Sequence, residues 1–295
     1  MRISILGFGL IGGSIARALH ARADPEAWHV TAWSPTGRGP AAALADGVIQ
    51  AAAATPEAAI AGADLVVLAA PATDCLTMLD DLAGPWAGSL SHGAVVTDVA
   101  STKGVLLARA SELGLRYIGG HPMAGLETTG YETATADLFD RRPWVLVAED
   151  GHAAADIAAV ASLASACGAR PLVMTAKAHD VAVAGISHLP LVLAASLVEA
   201  VTGGPGEPTR ADWPDAEALA AGGWRDMTRL ARGDPAMGAA IAATNAPALA
   251  ARLHELRDAV DAWLAALERP GGPDESAILE RLRSARARLE ASTDG

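Results

Sequence analysis

Residues 1–14, MRISILGFGLIGGS, constrain this chain more than any other stretch. Residues 2–6 read as a short buried strand, and Gly7, Gly9 and Gly12 follow in G-x-G-x-x-G spacing. Leu10 and Ile11 then open a helix that continues through Ile15, Ala16, Ala18 and Leu19. The first glycine permits a tight turn, the second lets backbone approach a pyrophosphate, and the third lets helix and strand pack closely. Unpaired N–H groups at the helix start face the phosphate charge. Strand, turn and helix in this order predict a dinucleotide site rather than a mere tight turn.

The alternation continues. Residues 28–33, 65–69, 95–99, 117–118 and 144–148 read as strands, with helical stretches at 41–44, 76–82 and 153–166 and a short strand near 172–174. Short apolar runs interleaved with helical patterns predict an α/β fold with a parallel, Rossmann-type sheet. After Thr175 the pattern becomes helical: 176 to about 201, then the loop TGGPGEP, then 216–221, 224–232, 236–267 and a charged helix at 275–290. The expected division is a dinucleotide-binding domain over 1–174 and a mostly helical substrate-binding and dimerisation domain over 175–295. Glu280, Arg281, Arg283, Arg286 and Arg288 read as a solvated face.

Composition narrows the partners. A hydrophobic content of 51% in 295 residues allows a sizeable core, but two phenylalanines and two tyrosines mean that much of it is alanine-lined helix packing. The net charge of −12, with no basic stripe, argues against nucleic acid. Cys75 and Cys167 lack metal-like or redox-like spacing and read as buried free thiols. The chain starts directly with a strand, so no signal peptide is expected. No membrane span is evident, since the nearest stretch, 181–197, is interrupted by Ser187, His188 and Pro190. A cytoplasmic protein is expected.

Ligands of a doubly wound sheet sit beyond the carboxyl ends of its strands. Asp98 and Ser101 fall at the end of VVTDV with Lys103 close by, and His121 follows the short 117–118 strand in GGHPMAG. Pro122 restrains that backbone, and the flanking glycines are expected to allow close ligand approach. A neutral His121 can take a hydroxyl proton as carbon gives up a hydride, a role worth about 10²–10⁴-fold. Ser101 could bind the substrate hydroxyl, orient the imidazole, or simply cap the helix ahead of Val105, Leu106 and Leu107. Farther on, His179, Ser187 and His188 lie on or beside one helix. Arg225 and Arg229 are one turn apart on another, and one of them could clamp a carboxylate or merely pair with Asp226 or Asp234. No metal is expected, because His179, Asp180 and His188 do not form a ligand repeat.

The segments GFGLIGGS, VTDVASTKG, GGHPMAGLETTG, AKAHD…SHLP and GGWRDMTRLARGDPAMG, followed by Asn245, resemble the prephenate/arogenate dehydrogenase family of tyrosine biosynthesis. The resemblance implies oxidative decarboxylation of an anionic cyclohexadienyl substrate. His121 would be the proton acceptor, Ser101 its helper, Arg229 the substrate-carboxylate arginine, and Ser187 and His188 part of the pocket helix. Prephenate-selective members often carry a second histidine where this chain has Leu191, which weakens an assignment to prephenate alone. The second strand ends in Trp33-Ser34-Pro35-Thr36 with Arg38 beyond, in place of the acidic residue usual for NAD. Ser34, Thr36 and Arg38 could hold a 2′-phosphate, so NADP is favoured over NAD. A homodimer through the helical domains is expected, and allosteric tyrosine control through a separate module is not expected. Two other readings use the same opening motif. A β-hydroxyacid dehydrogenase or imine reductase would more naturally use a helical-domain lysine, of which Lys177 is the only one. A non-catalytic dinucleotide sensor would leave His121, Ser101 and Arg229 without a shared purpose.

Overall fold

In the computed structural model, which describes residues 1–22, 27–126 and 128–293, the strands are short apolar runs covered on both faces. Glu127, inside GGHPMAGLETTG, lies outside the described residues. The order is β1 (Arg2–Leu6), α1 (Leu10–Arg22), β2 (His29–Trp33), α2 (Arg38–Ala45), β3 (Ala51–Ala52), α3 (Pro56–Ile60) and β4 (Leu65–Leu68). Then come α4 (Ala72–Ala83), β5 (Val95–Asp98), α5 (Gly104–Glu112), β6 (Tyr117–Pro122), β7 (Pro143–Val147), α6 (Ala154–Ala166) and β8 (Arg170–Met174). One sheet holds all eight strands in the order β3-β2-β1-β4-β5-β6-β7-β8, and the expected Rossmann-type fold is borne out. Alternate residues feed two cores. Ile3, Ile5, Leu65 and Val67 pack with Ile15 and Leu19 of α1 on one face, while Leu6, Val66 and Leu68 pack with Leu79 of α4 and Leu106 of α5 on the other. Strands buried on both faces need no polar side.

The sheet departs from the all-parallel expectation at one junction. β6 and β7 are antiparallel, with His121 opposite Val145. A parallel pair needs a crossover long enough to hold a helix. Among the described residues between β6 and β7 the chain forms only a 3₁₀ turn, Tyr131–Thr133, and the strand returns alongside its neighbour. His121 also does not follow a two-residue strand, because β6 runs on to Pro122 and carries the histidine within it.

The glycines before His121 serve a different neighbour from the one expected. A Cβ on Gly120 would lie 2.4 Å from the Asp98 carbonyl oxygen, and one on Gly119 would lie 3.1 Å from Cδ of Lys103. They admit the end of β5 and a buried lysine, not a ligand. The Asp98 carboxylate is fully buried and accepts from Lys103 Nζ, the Tyr117 hydroxyl, Ala100 N at 2.8 Å and Gly120 N at 3.3 Å. Lys103 Nζ also donates to the Gly120 carbonyl at 2.7 Å. Burial and then the Asp98 charge push the Tyr117 hydroxyl well above its ordinary value, which keeps it a donor.

Beyond β8, α7 (Ala176–Val183), a π-helical turn (Ala184–His188) and α8 (Leu189–Thr202) form one continuous helix. Pro190 has no N–H to give the preceding turn, and the wider π turn absorbs that loss without ending the helix. The expectation that no membrane-length segment is evident is thereby corrected. The 27-residue helix Ala176–Thr202 is long and apolar enough to cross a membrane, and only 22% of its most apolar window is buried within this chain. Next come α9 (Trp213–Ala218), α10 (Gly222–Thr228), a 3₁₀ turn (Arg229–Arg232) and α11 (Pro235–Thr244). The chain forms two compact units, Met1–Ala246 and Pro247–Gly295. In the second, built from most of α12 (Ala246–Leu267) and from α13 (Glu275–Thr293), the Asp274 carboxylate caps the start of α13 through Ala277 N at 3.1 Å. Arg281 lies over the Trp263 ring, while Glu280, Arg283, Arg286 and Arg288 are exposed.

Lys103→Met leaves Asp98 buried without its counter-charge. Breaking a buried pair from one side costs about 3–5 kcal/mol, so the urea midpoint should fall sharply, and an unchanged midpoint would show that the pair is not what holds β5 to β6.

Candidate active site

The glycine motif forms a cradle of bare backbone. Gly7 adopts φ +91°, and a Cβ there would sit 2.4 Å from the Ala69 carbonyl oxygen, so only glycine fits. A Cβ on Gly12 would lie 2.5 Å from the Gly7 oxygen and 3.1 Å from Ile5, the close helix–strand contact expected of it. Gly9 is different: nothing lies within 4 Å of a Cβ built there. Gly7 and Gly9 line a cavity of about 520 Å³ that also takes in Ser34, Thr36 and Arg38. Leu10 and Ile11 open α1 without lining it.

The structure adds a wall that sequence reasoning missed, the turn at 129–132. Tyr131 holds this turn. Its ring stacks on Phe8 with centroids 5.6 Å apart, lies 4.4 Å under the Arg17 guanidinium, and its hydroxyl donates to Asp46 at 2.9 Å. The motifs GFGLIGGS and GGHPMAGLETTG reach Phe8 and Gly130 but do not show that they share a wall, because that meeting depends on α1, α2 and the β6–β7 connection arriving together. The cradle fits a dinucleotide by its glycine geometry and its place beyond the β1–β4 crossover.

A second set of groups gathers where β6 meets the long helix. His121 Nδ1 lies 2.8 Å from His179 Nε2, and His179 Nδ1 lies 2.7 Å from Asp180 Oδ1. Asp180 also accepts from the backbone N–H of Lys103 at 2.9 Å and of Gly104 at 2.7 Å. Burial opposes charge on Asp180, but His179 and these two backbone donors together hold its carboxyl below the ordinary value. Burial first, then His179, Lys103 and His188, push the His121 imidazole well below the ordinary histidine value, so it is neutral near pH 7.

Ser101 is partly exposed and does not cap α5, whose N-cap is Lys103. The N-cap alternative therefore falls, and the position it would have filled is taken in trans by Asp180. His188 is buried, with Nδ1 3.1 Å from Asn245 Nδ2. Because Asn245 Nδ2 also lies 2.9 Å from the Asp180 carbonyl, which can only accept, the amide is the donor to both. His188 then carries its proton on Nε2, an atom with no partner among the described residues. Burial is the main reason its value falls to about 4. Ser187 is exposed on the π turn, and Arg225 and Arg229 are exposed on α10 and the following 3₁₀ turn. The tightening at Arg229 replaces the regular helical spacing expected between the two arginines. Both cysteines are buried and free, as expected, and burial raises the Cys75 thiol to about 12.

A Rossmann-type sheet with a glycine cradle, joined to helices that bring a buried histidine cluster to its carboxyl edge, defines a nucleotide-dependent dehydrogenase. The nucleotide-binding domain of prephenate dehydrogenase matches residues 15–173 and the prephenate dehydrogenase dimerization domain matches residues 175–281, and the chain belongs to that family. The expected family, and with it the enzyme class, is borne out. A cyclohexadienyl dehydrogenase of Zymomonas mobilis is 31% identical over 99% of this chain and 96% of its own length. A prephenate dehydrogenase of Lactococcus lactis is 30% identical over 88% of this chain and 69% of its own. The arogenate dehydrogenase structure from Synechocystis superposes with a TM-score of 0.79 at 30% identity, covering 98% of this chain and all of that one. The A. aeolicus prephenate dehydrogenase in complex with hydroxyphenyl propionate and NAD+ shares the fold, with a TM-score of 0.84 at 23% identity over 99% of this chain and 98% of its own.

His188 is neutral when folded and titrates near its ordinary value when unfolded. The unfolded chain therefore binds more protons between about pH 6.5 and about pH 4, and stability is lost as pH falls through that window. The shift corresponds to about 3 kcal/mol. Urea midpoints at pH 7.5 and 4.5 should differ accordingly, with a smaller difference in His188→Gln; equal differences in the two proteins would remove His188 as the cause.

Proposed function

We propose that this chain oxidatively decarboxylates a cyclohexadienyl acid, prephenate or arogenate, in tyrosine biosynthesis. The observation that carries the reading is His121, neutral and buried at the carboxyl edge of the sheet, in a chain matched by this family on both sides of residue 174. The bound nicotinamide supplies the hydride acceptor. Gly7 and Gly9 admit the pyrophosphate, and the start of α1 faces its charge. His121 takes the alcohol proton as the ring carbon is oxidised. Loss of the ring carboxylate as CO₂ makes the ring aromatic, and the imidazolium returns the same proton to the phenolate oxygen. Ser101, partly exposed after β5, donates to the reacting hydroxyl oxygen. Arg229 holds a substrate carboxylate, and Ser187 and the Nε2–H of His188 complete the pocket.

NADP is the favoured cofactor. Ser34, Thr36 and Arg38 line the cavity where an acidic residue would repel a 2′-phosphate, and α2 begins at Arg38 with its positive end toward them. We also infer a homodimer. The segment from 175 to 281 matches a dimerization domain, and the largely exposed apolar helix Ala176–Thr202 offers surface for a second copy to cover. The buried polar groups His179, Asp180 and His188 along this helix favour that reading over a membrane span. A cytoplasmic location is inferred as the one expected of a biosynthetic dehydrogenase. A functional division near residue 174 separates the dinucleotide half from the substrate half.

Supplying prephenate and arogenate separately with NAD+ or NADP+ should yield reduced cofactor and aromatic product in equal amounts. His121→Asn should lower kcat by about 10²-fold or more with dinucleotide affinity kept, and Arg229→Ala should chiefly raise KM for substrate. Wild-type turnover in His121→Asn, or a defect in Arg229→Ala confined to dinucleotide binding, would contradict these roles. The acid limb of kcat/KM should lie below the ordinary histidine value of about 6.5, because the base is lost only as pH falls through a lowered pKa. Arg38→Ala should weaken NADP+ binding roughly tenfold and leave NAD+ binding nearly unchanged; equal weakening of both would argue against a 2′-phosphate contact.

A further inference from the structure

The hydrogen bonds behind His121 determine which of its ring nitrogens is free. Asp180 is held rigidly, since Oδ1 accepts from Lys103 N and Oδ2 from Gly104 N. A Cβ on residue 104 would lie 2.9 Å from Oδ2, so Gly104 is what lets the carboxylate come this close. The main-chain carbonyl of the same residue is tied down by Asn245 at 2.9 Å. A carboxylate so fixed can only accept, and it faces Nδ1 of His179 at 2.7 Å, so the His179 proton sits on Nδ1. His179 Nε2 is then a lone pair, 2.8 Å from His121 Nδ1, which must donate to it. The His121 proton is thereby placed on Nδ1 and its Nε2 is left as the acceptor.

We propose that His179 and Asp180 are positioning residues for the reaction, an Asp–His–His relay that sets the tautomer and orientation of His121 so that Nε2 receives the substrate's hydroxyl proton. The inference rests on His121 as the base. In the step, the hydroxyl O–H bond breaks, the proton joins Nε2 of His121, and the oxygen keeps the electron pair as the ring carbon is oxidised. The charge that develops on His121 is met by the Nδ1–H···Nε2 bond to His179, whose far nitrogen is held by the Asp180 carboxylate. No proton has to move past His121. The competing arrangement, with His179 doubly protonated, would put Nε2–H of His179 against His121 Nδ1, force the His121 proton onto Nε2, and leave no base. Both imidazoles are nearly sealed from water, His179 at 1% and His121 at 9% exposed, so solvent cannot readily replace the missing partner.

The test uses the whole chain of residues 1–295, prephenate and arogenate as substrates, NAD+ and NADP+ as dinucleotides, and selective ¹⁵N-histidine labelling. In the wild type, the nitrogen shifts of His121 should report Nδ1 protonated and Nε2 bare. His179→Leu should lower kcat about 10²-fold or more, while KM and dinucleotide affinity stay within about twofold. His179→Gln, whose side-chain oxygen can still accept from His121 Nδ1, should keep more of kcat than the leucine variant. Asp180→Asn, whose amide oxygen can still accept from His179 Nδ1 but carries no charge, should lower kcat, with the His179 variants as the safeguard should it fold poorly. A wild-type His121 protonated on Nε2, or a folded His179→Leu within about threefold of wild-type kcat, overturns the relay. If His121→Asn is dead while the His179 and Asp180 variants work normally, only the relay fails; if His121→Asn works normally, the base reading fails and takes the relay with it.

Discussion

A carboxylate with no access to water organises the catalytic edge of this sheet. Asp98 ends β5, and leaving it unpaired in that interior would cost several kcal/mol. It is satisfied by Lys103 from the start of α5, by Tyr117 from the start of β6 and by the Gly120 amide from its middle. Three elements are therefore fixed to one another by one side chain. His121 follows directly on the last of these contacts, so the position of the proposed base inherits the rigidity of a charge that cannot move.

A second carboxylate, Asp180, does for the helical segment what Asp98 does for the sheet. It caps α5 from across a tertiary contact, faces His179, and through its carbonyl meets Asn245. Thr102 and Thr244 add a buried hydroxyl pair at 2.9 Å between the same regions. The β5–α5 loop is thus held from both sides, and the sheet and the helices meet through polar groups. Such networks are exacting, because each missing partner leaves a buried polar atom unpaired. The π turn at Ala184–His188 belongs to the same economy: it keeps Pro190 inside a continuous helix while His188 reaches Asn245.

The opening strand, turn and helix were legible because local physics dictates them. Gly7 must take a positive φ and Gly12 must let the helix approach, whatever the rest of the chain does. The alternation of short apolar runs with helices was legible for the same reason, and the positions of β1, β4, β5 and β7 came out within a residue or two. The two-residue strand β3 was missed, since two alanines carry no strand signal until a neighbour pairs with them. Gly119 and Gly120 were assigned to a ligand, while the structure gives them to Lys103 and the Asp98 backbone. Neither spacing nor composition distinguishes a glycine kept open for a ligand from one kept open for the protein itself.

What the sequence by itself determined is the Rossmann-type half, its glycine cradle, the family, and His121 near the carboxyl edge of the sheet. These follow from hydrophobic period and backbone conformation, which act between residues close in the chain. Only the tertiary structure decided the antiparallel return of β7, the continuity of the helix through Pro190, and the line from Asp180 through His179 to His121. Those depend on groups up to 58 residues apart meeting within hydrogen-bond distance, and a hydrogen bond's direction is set by which partner can only accept.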